Sequence, residues 1–188
     1  MNKGTVAFLR GLVVFTLLLA RPVLVRSADT IIVGVSGPAI NMVYSFVARD
    51  AGLWQKHGVD SRVVLFEAGS LLAQAMLSGD VKISISSGPA VIAARSQGAD
   101  TIIVAACVNT LPYSIVAAKG ITQWAQLRGK KIAISRLGSG TDTAIRLVLK
   151  KYGLDAAKDV MIVQLGTQPS RFQALAAGAI DATIISPP

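Results

Sequence analysis

The sequence predicts an α/β protein made of two similar lobes, each built on a mostly parallel sheet. Short apolar runs alternate with helix-like segments along the chain, which is the pattern of parallel α/β folds. One phrase also occurs twice, as "QAMLSGDVKISISSGP" at Gln74–Pro89 and as "QALAAGAIDATIISPP" at Gln173–Pro188. The two copies stand 99 residues apart. The repeat therefore predicts two lobes of the same design.

The elements of the first lobe follow from residue type and spacing. Runs rich in Val and Ile predict buried strands, because branched side chains suit a pleated sheet. Segments that close on glycine predict helices, because glycine accepts the left-handed conformation that ends a helix. The predicted elements are strand Thr30–Ser36, helix Asn41–Asp50, strand Ser61–Glu67, helix Ser70–Leu77, strand Lys82–Ser86, helix Pro89–Ser96 and strand Thr101–Cys107.

The second lobe repeats this order after an apolar run at Tyr113–Ala118 and a short helix around Trp124. Val35–Ser36 of the first strand recurs as Ile134–Ser135, at the same offset of 99 residues. The predicted elements are strand Lys130–Ser135, helix Thr141–Tyr152, strand Asp159–Leu165, helix Ser170–Ala177 and strand Asp181–Ser186.

The N-terminus has the composition of an export signal. Lys3 and Arg10 precede the apolar run Gly11–Ala20, and small residues at Ser27 and Ala28 suit a cleavage site. The run is short for a membrane span, although an uncleaved anchor is the alternative. No cysteine follows the signal, so lipid attachment is not expected and a periplasmic location is predicted. The resulting division is a signal peptide at 1–28, a first lobe at 29–112 and a second lobe at 113–188.

The loops at the strand ends are the candidate ligand site. Ligands of open α/β sheets bind beyond the carboxyl ends of the strands, where helix N-termini offer free N–H groups to an anion. The alternative is that these residues only cap helices, and Ser139 with Asp142 does fit a capping box. Four such loops meet in duplicated lobes, which favours a site. They are Ser36–Asn41, Ser86–Ala90, Arg136–Thr143 and Ser186–Pro188.

Composition and motifs argue against other classes. Hydrophobic residues make up 52% and charged residues 15%, so a packed core is expected. Without the four basic residues of the signal the net charge falls from +9 to +5, which does not indicate nucleic-acid binding. The segment "GSGTDT" lacks the lysine of a P-loop. No metal or cofactor is predicted.

Individual side chains leave alternatives open. His57 reads as a solvated turn residue and Cys107 as a buried small hydrophobe, so no catalytic residue is predicted. Arg136 either reaches an anion or lies on the rim of the cleft. Tyr44 and Tyr113 either stack on a ligand or belong to the core or rim.

Four segments together resemble a known family. They are "GLWQKHGVD", "LLAQAMLSGDVKISISSGPA", "QLRGKKIAISRLGSGTDTAIRLVLKKYGL" and "QALAAGAIDATI". They are similar to the solute-binding proteins of bacterial ABC importers for aliphatic sulfonates, taurine, nitrate and thiamine-pyrimidine precursors. The resemblance covers Ile31 to the C-terminus. It implies a type II periplasmic-binding fold, in which a monomer closes its lobes on a small anionic solute and presents it to an ABC permease of the inner membrane.

The resemblance also implies ligand residues by position. These are Gly37, Pro38, Asn41, Ser86, Ser87, Gly88, Asn109, Ser139, Gly140, Thr141 and Ser186, to which Arg136 is added as a candidate anion contact. Many relatives place an aromatic or acidic residue where this protein has Ser186–Pro188, so ligand specificity does not transfer. Relatives are longer, so a truncation at the C-terminus and an incomplete second lobe are expected.

Two other functions share the fold. The runner-up is an enzyme resembling thiamine-pyrimidine synthases, which would be intracellular and would need an active-site histidine with nearby cysteines. A third candidate is the ligand-sensing half of a transcription regulator, which would need an N-terminal helix-turn-helix. The export signal favours the binding protein over both.

Overall fold

The structure, a computed structural model, describes residues 30–37, 39 and 42–186 of the protein. The predicted signal peptide at 1–28 lies outside the described residues. In sequence order the elements are β1 (Ile31–Ser36), α1 (Tyr44–Asp50), α2 (Leu53–Lys56), β2 (Ser61–Phe66), α3 (Gly69–Leu77), β3 (Ile83–Ile85), α4 (Gly88–Ser96), β4 (Ser114–Ala117), a 3₁₀ turn (Trp124–Leu127), β5 (Lys131–Ile134), α5 (Gly140–Lys151), β6 (Met161–Gln164), α6 (Gln168–Ala176) and β7 (Ala182–Ile185).

The strands form two separate sheets. The first has the order β2-β1-β3 and is parallel throughout. The second has the order β4-β7-β5-β6, in which β4 runs antiparallel to β7 and the other pairs are parallel. Strands β1, β2 and β3 thus occupy the same relative places as β5, β6 and β7. We call β1–β3 with α1–α4 the first unit, and β4–β7 with α5 and α6 the second unit.

Each unit buries the apolar side chains that predicted its strands. Val33 and Val35 of β1 and Leu72 of α3 are all fully buried in the first unit. Ile132 and Ile134 belong to the core cluster of the second unit, together with residues of α5. Helix α5 begins at the cap Ser139 and carries basic residues in its last turn, which suits the helix dipole. Both sheets therefore point the carboxyl ends of their parallel strands toward the starts of their helices.

The predicted strand at Thr101–Cys107 is wrong. The described residues form no strand between β3 and β4, and Ile102, Ile103 and Val104 are 76%, 59% and 86% exposed. An apolar run becomes a strand only when another strand satisfies its backbone groups. In the second unit β4 pairs with β7, whereas among the described residues no strand occupies the matching edge of β3. Helix α2 is a further difference, since the sequence did not predict it.

Candidate ligand-binding site

A small polar cavity lies between the two units, at the carboxyl ends of their strands. Its volume is about 60 Å³. A water molecule needs roughly 10–15 Å³ of such space, so the cavity suits a solute of only a few non-hydrogen atoms. We call it the polar cavity.

The two copies of the repeat contribute matching residues to this cavity. Ser36 ends β1 and Ser135 follows β5, and both line it. Ser87 precedes α4 and Ser186 follows β7, and both line it as well. Each pair is separated by the repeat offset of 99 residues. The duplicated sequence therefore places its serines around one shared space.

Four helices begin at the polar cavity. Gly69 starts α3, Ser87 caps α4 and Gln168 starts α6, while α5 contributes Gly140 and Thr141. The backbone N–H groups of Gly140 and Thr141 have no acceptor among the described residues. Helix N-termini carry partial positive charge, so their convergence favours an anion.

Three hydroxyl groups hold the start of α5 in place. The Oγ atoms of Ser135 and Ser139 lie 2.9 Å apart, and Thr141 Oγ1 lies 2.8 Å from each of them. Ser139 Oγ also accepts the N–H of Asp142 at 3.4 Å, as the predicted cap requires. The carboxylate of Asp142 accepts from the N–H of Gly138 and from Arg146. Capping and cavity lining are thus done by the same residues.

Arg171 brings a buried positive charge to the polar cavity. Its side chain is only 3% exposed, and its guanidinium donates to the carbonyls of Gly166 and Ile184 and to the hydroxyl of Thr183. Within the described part of the protein no carboxylate pairs with it. Burial lowers the pKa of Arg171 to about 10, an effect that the nearby Tyr113 partly offsets. The guanidinium is therefore charged at neutral pH and has no counter-ion among the described residues.

The sequence pattern did not predict Arg171, although the repeat contains a signal for it. The residue 99 positions earlier is Leu72, which is fully buried in the first unit. An arginine at the position that corresponds to a core leucine in the other copy indicates that the arginine is buried, and a buried charge favours a functional role. Helix periodicity alone gives no such indication.

Tyr113 lines the polar cavity together with Arg171, and the two side chains are near enough to interact electrostatically. It also lines a second, larger and apolar cavity of about 400 Å³, which we call the apolar cavity. Burial raises the pKa of Tyr113, and the charge of Arg171 lowers it in part. The phenol is therefore neutral at ordinary pH and can donate a hydrogen bond. Tyr44 is half exposed, and it lines the apolar cavity but not the polar cavity.

The structure separates the residues that the sequence predicted for the site. Ser86 and Gly88 line the apolar cavity and not the polar one, whereas Ser87 between them lines both. Asn109 and Arg136 are exposed and line neither cavity. Pro38 and Asn41 lie outside the described residues. Those that line the polar cavity are Gly37, Ser87, Ser139, Gly140, Thr141 and Ser186.

Comparison with known proteins gives a consistent family and fold. A family model described as "NMT1/THI5 like" matches residues 39–186. A curated protein of Brucella abortus (strain 2308), named only as a binding protein, is 31% identical over 121 residues, which are 63% of this chain and 36% of that protein. The match therefore spans about a third of the length of the curated relatives.

Three solved structures resemble the protein. The alkanesulfonate-binding protein SsuA from Xanthomonas axonopodis pv. citri, bound to MOPS, has a TM-score of 0.71 at 24% identity, covering 84% of this chain and 54% of that one. The periplasmic aliphatic sulphonate binding protein SsuA from Escherichia coli has a TM-score of 0.63 at 26% identity, with coverages of 86% and 55%. PhnD1 from Prochlorococcus marinus in complex with methylphosphonate has a TM-score of 0.64 at 15% identity, with coverages of 85% and 64%. These likenesses confirm the predicted periplasmic-binding fold.

Proposed function

The chain belongs to the NMT1/THI5-like family, and on that premise we propose that it is the exported substrate-binding component of an ABC importer. It captures a small anionic organic solute between its two units and delivers it to a permease of the inner membrane. In this proposal 1–28 is a cleaved signal peptide, and the lobes that close on the solute are 29–112 and 113–188. The protein acts as a monomer in the periplasm. None of the described helices is long and apolar enough to cross a membrane.

The observation that carries the proposal is the buried charge of Arg171. An unpaired buried cation is costly, and a bound anion would supply the missing counter-ion. The N-termini of α3, α4, α5 and α6 favour the same sign of ligand charge. The hydroxyls of Ser87 and Tyr113 reach the cavity from the first unit and from the segment before β4. An anion there would touch both units and favour their closure.

We propose binding without catalysis. His57 follows α2 and is exposed, and it is not among the residues that line the polar cavity. Cys107 is exposed and lines the apolar cavity, rather than being buried as the sequence suggested. Neither side chain is placed to act as a general base or a nucleophile on a solute beside Arg171.

Calorimetry on the full-length protein tests anion capture, with propanesulfonate, propionate and methylphosphonate as probes. A hydrogen bond to a charged group contributes roughly 1.5–3 kcal/mol, so Arg171→Gln is expected to weaken binding by about tenfold or more. Arg136→Gln is the matched control, because Arg136 lies outside the cavity, and its affinity should stay at the wild-type value. The proposal fails if the wild type binds none of the probes, or if the two variants bind equally well.

N-terminal sequencing of the periplasmic fraction tests export. A mature protein that starts near Ala28 or Asp29 is expected from the basic region, the apolar run and the small residues of the N-terminus. A periplasmic protein that retains Met1 would contradict cleavage. A protein found only in the cytoplasm would contradict the import function itself.

A further inference from the structure

Charge is divided unequally between the two units. Over residues 30–112, which contain the first unit, five basic side chains are balanced by five acidic ones, so the net charge is zero. Over residues 113–186, which contain the second unit, there are ten basic and four acidic side chains, so the net charge is +6. The two units are copies of one pattern, and their shared fold does not account for this difference.

Most of the surplus lies at the end of the second unit opposite the polar cavity. Strands β5, β6 and β7 begin at this end, and β4 and α5 end there. Arg128 ties the segments together by donating to Asp159 before β6 and to the carbonyl of Gly153 after α5. The N–H of Ala118, just after β4, donates to the carbonyl of Asp181 just before β7. Six lysines stand on these segments, and we call them the basic face: Lys119, Lys130, Lys131, Lys150, Lys151 and Lys158.

The basic face is poorly neutralised by its own acids. Asp159 pairs with Arg128, and Asp181 lies 3.6 Å from the Nζ atom of Lys130. The other five lysines of the face are exposed and form no salt bridge within the described residues. Like charges held on one surface repel one another, and a surface of opposite charge would relieve that repulsion.

The basic face also carries exposed aromatic and apolar groups. Tyr152 follows α5 and is 46% exposed, and Met161 at the start of β6 is 50% exposed. The ring of Tyr152 stacks on Trp124 with the centroids 4.3 Å apart, and the Nζ atom of Lys151 lies 5.8 Å from the centroid of the Tyr152 ring. Aromatic rings with a polar tip, beside lysines with long apolar stems, are the side chains that settle at a membrane–water interface.

From this combination of charge and exposed aromatic surface we infer that the basic face docks on an anionic lipid surface. The lysine ammonium groups lie among the phosphate groups, and Tyr152 lies at the level of the headgroups. Only the choice of partner rests on the function proposed above, since a protein that serves a permease works beside a membrane. Lysine is a flexible point charge that suits a diffuse layer of headgroups, whereas recognition of fixed carboxylates on a protein favours arginine. The polar cavity lies at the other end of the strands, so docking leaves it free.

Co-sedimentation of the full-length protein with lipid vesicles tests the inference. The protein should bind vesicles of phosphatidylglycerol and phosphatidylcholine in equal parts, should not bind vesicles of phosphatidylcholine alone, and should be released as the salt concentration rises. The triple variant Lys150→Gln, Lys151→Gln and Lys158→Gln should bind the anionic vesicles at least about tenfold more weakly, because each lysine near an anionic surface contributes to binding. Circular dichroism checks that this variant is folded.

The matched control removes the same charge from the first unit, by Lys56→Gln, Arg62→Gln and Lys82→Gln. These three side chains are exposed and form no salt bridge within the described residues, so the control should bind vesicles as the wild type does. Every variant has the same N-terminus, so differences among them do not come from the apolar run at Gly11–Ala20.

The two tryptophans report which face meets the membrane. Trp54→Phe leaves Trp124 as the only tryptophan, and Trp124→Phe leaves Trp54. On anionic vesicles with spin-labelled headgroups, the fluorescence of Trp124 should be quenched more strongly than that of Trp54. Equal quenching of the two would overturn the orientation, and with it the docking role of the basic face.

The remaining outcomes separate this inference from solute capture. It is overturned if the wild type binds neither kind of vesicle, which an acidic protein partner would predict, if it binds both kinds equally, or if the two triple variants lose the same affinity. Calorimetry with propanesulfonate is run on the same proteins, and the lysine variant of the basic face should keep the wild-type affinity for this solute. Vesicle binding without solute binding would sink the proposed function and leave the docking face standing.

Discussion

Ser87 and Gly140 touch across the gap between the two units, with so little space that a β-carbon on Gly140 would lie 2.7 Å from Ser87 Oγ. The hydroxyl oxygen of Tyr113 would lie 2.6 Å from that same β-carbon on Gly140. Real β-carbons do not approach oxygen atoms so closely. The first turn of α5 therefore contacts the first unit only because residue 140 has no side chain.

We expect Gly140→Val to weaken binding of propanesulfonate at least about tenfold, since the methyl groups would hold Ser87 away from the free N–H groups of α5. Calorimetry measures the loss. The matched control is Gly88→Ala, because a β-carbon at Gly88 has no atom within 4 Å. Equal affinities for the two variants would show that the units need not approach each other here in order to bind the ligand.

The affinity for a sulfonate should decrease with rising pH in the alkaline range. Arg171 has a pKa of about 10, below the ordinary value, because burial disfavours its charge. It is about 90% or more protonated below about pH 9, so affinity should be nearly constant there, and affinity should fall as pH rises through the pKa and the cation is lost. The pKa of Tyr113 lies above its usual value, so its phenolate adds repulsion only at still higher pH.

Titration calorimetry with propanesulfonate at a series of pH values checks this, since the sulfonate stays ionised throughout. Circular dichroism at each pH confirms that the protein is still folded. The Tyr113→Phe variant should show the same loss of affinity at alkaline pH, because that loss comes from deprotonation of Arg171. An affinity that stays constant to about pH 11 in folded protein would contradict a role for the guanidinium charge.

Ser139→Ala should destabilise the fold by about 1 kcal/mol, since it removes the cap of α5 and two contacts of the hydroxyl cluster. Urea denaturation monitored by circular dichroism measures this loss. Ser96→Ala is the control: its exposed hydroxyl bonds only the carbonyl of Ala93, and the change should stay below about 0.5 kcal/mol. Equal midpoints for the two variants would mean that the cap contributes little.

The monomer proposed above is expected at low protein concentration. As the concentration rises, the exposed apolar segment Ile102–Val104 should drive self-association, because contiguous exposed apolar surface promotes association. Val104→Lys should reduce this without unfolding the protein, since Val104 is 86% exposed. Sedimentation velocity at several concentrations measures the effect. Ile132→Lys introduces the same charge at a fully buried position and should unfold the second unit. Unchanged association in a folded Val104→Lys variant would place the associating surface elsewhere.

Much of the fold could be predicted from local patterns, because duplicated segments of the same composition take up the same local structure. The described part of the phrase that recurs at Gln74–Pro89 and Gln173–Pro188 contains the end of a helix and then a strand in both units. The serine that follows that strand region lines the polar cavity in each case, at Ser87 and at Ser186.

Other features were decided only by the tertiary structure. Strand pairing is nonlocal, so the apolar run at Thr101–Cys107 has the composition of a strand and yet finds no pairing strand in the described part of the protein. Ser86, Ser87 and Gly88 are adjacent in sequence and all three line the apolar cavity, but only the middle residue also lines the polar cavity.

The sequence by itself determined the two-unit α/β plan and, to within three residues, where most of the helices begin and most of the strands end, since these depend on residue type over a few positions. Burial depends on what packs against a side chain from elsewhere in the protein. Arg171 has the sequence context of an exposed helix residue and becomes the buried cation of the cavity only because β7 and the loop at Gly166 close over it.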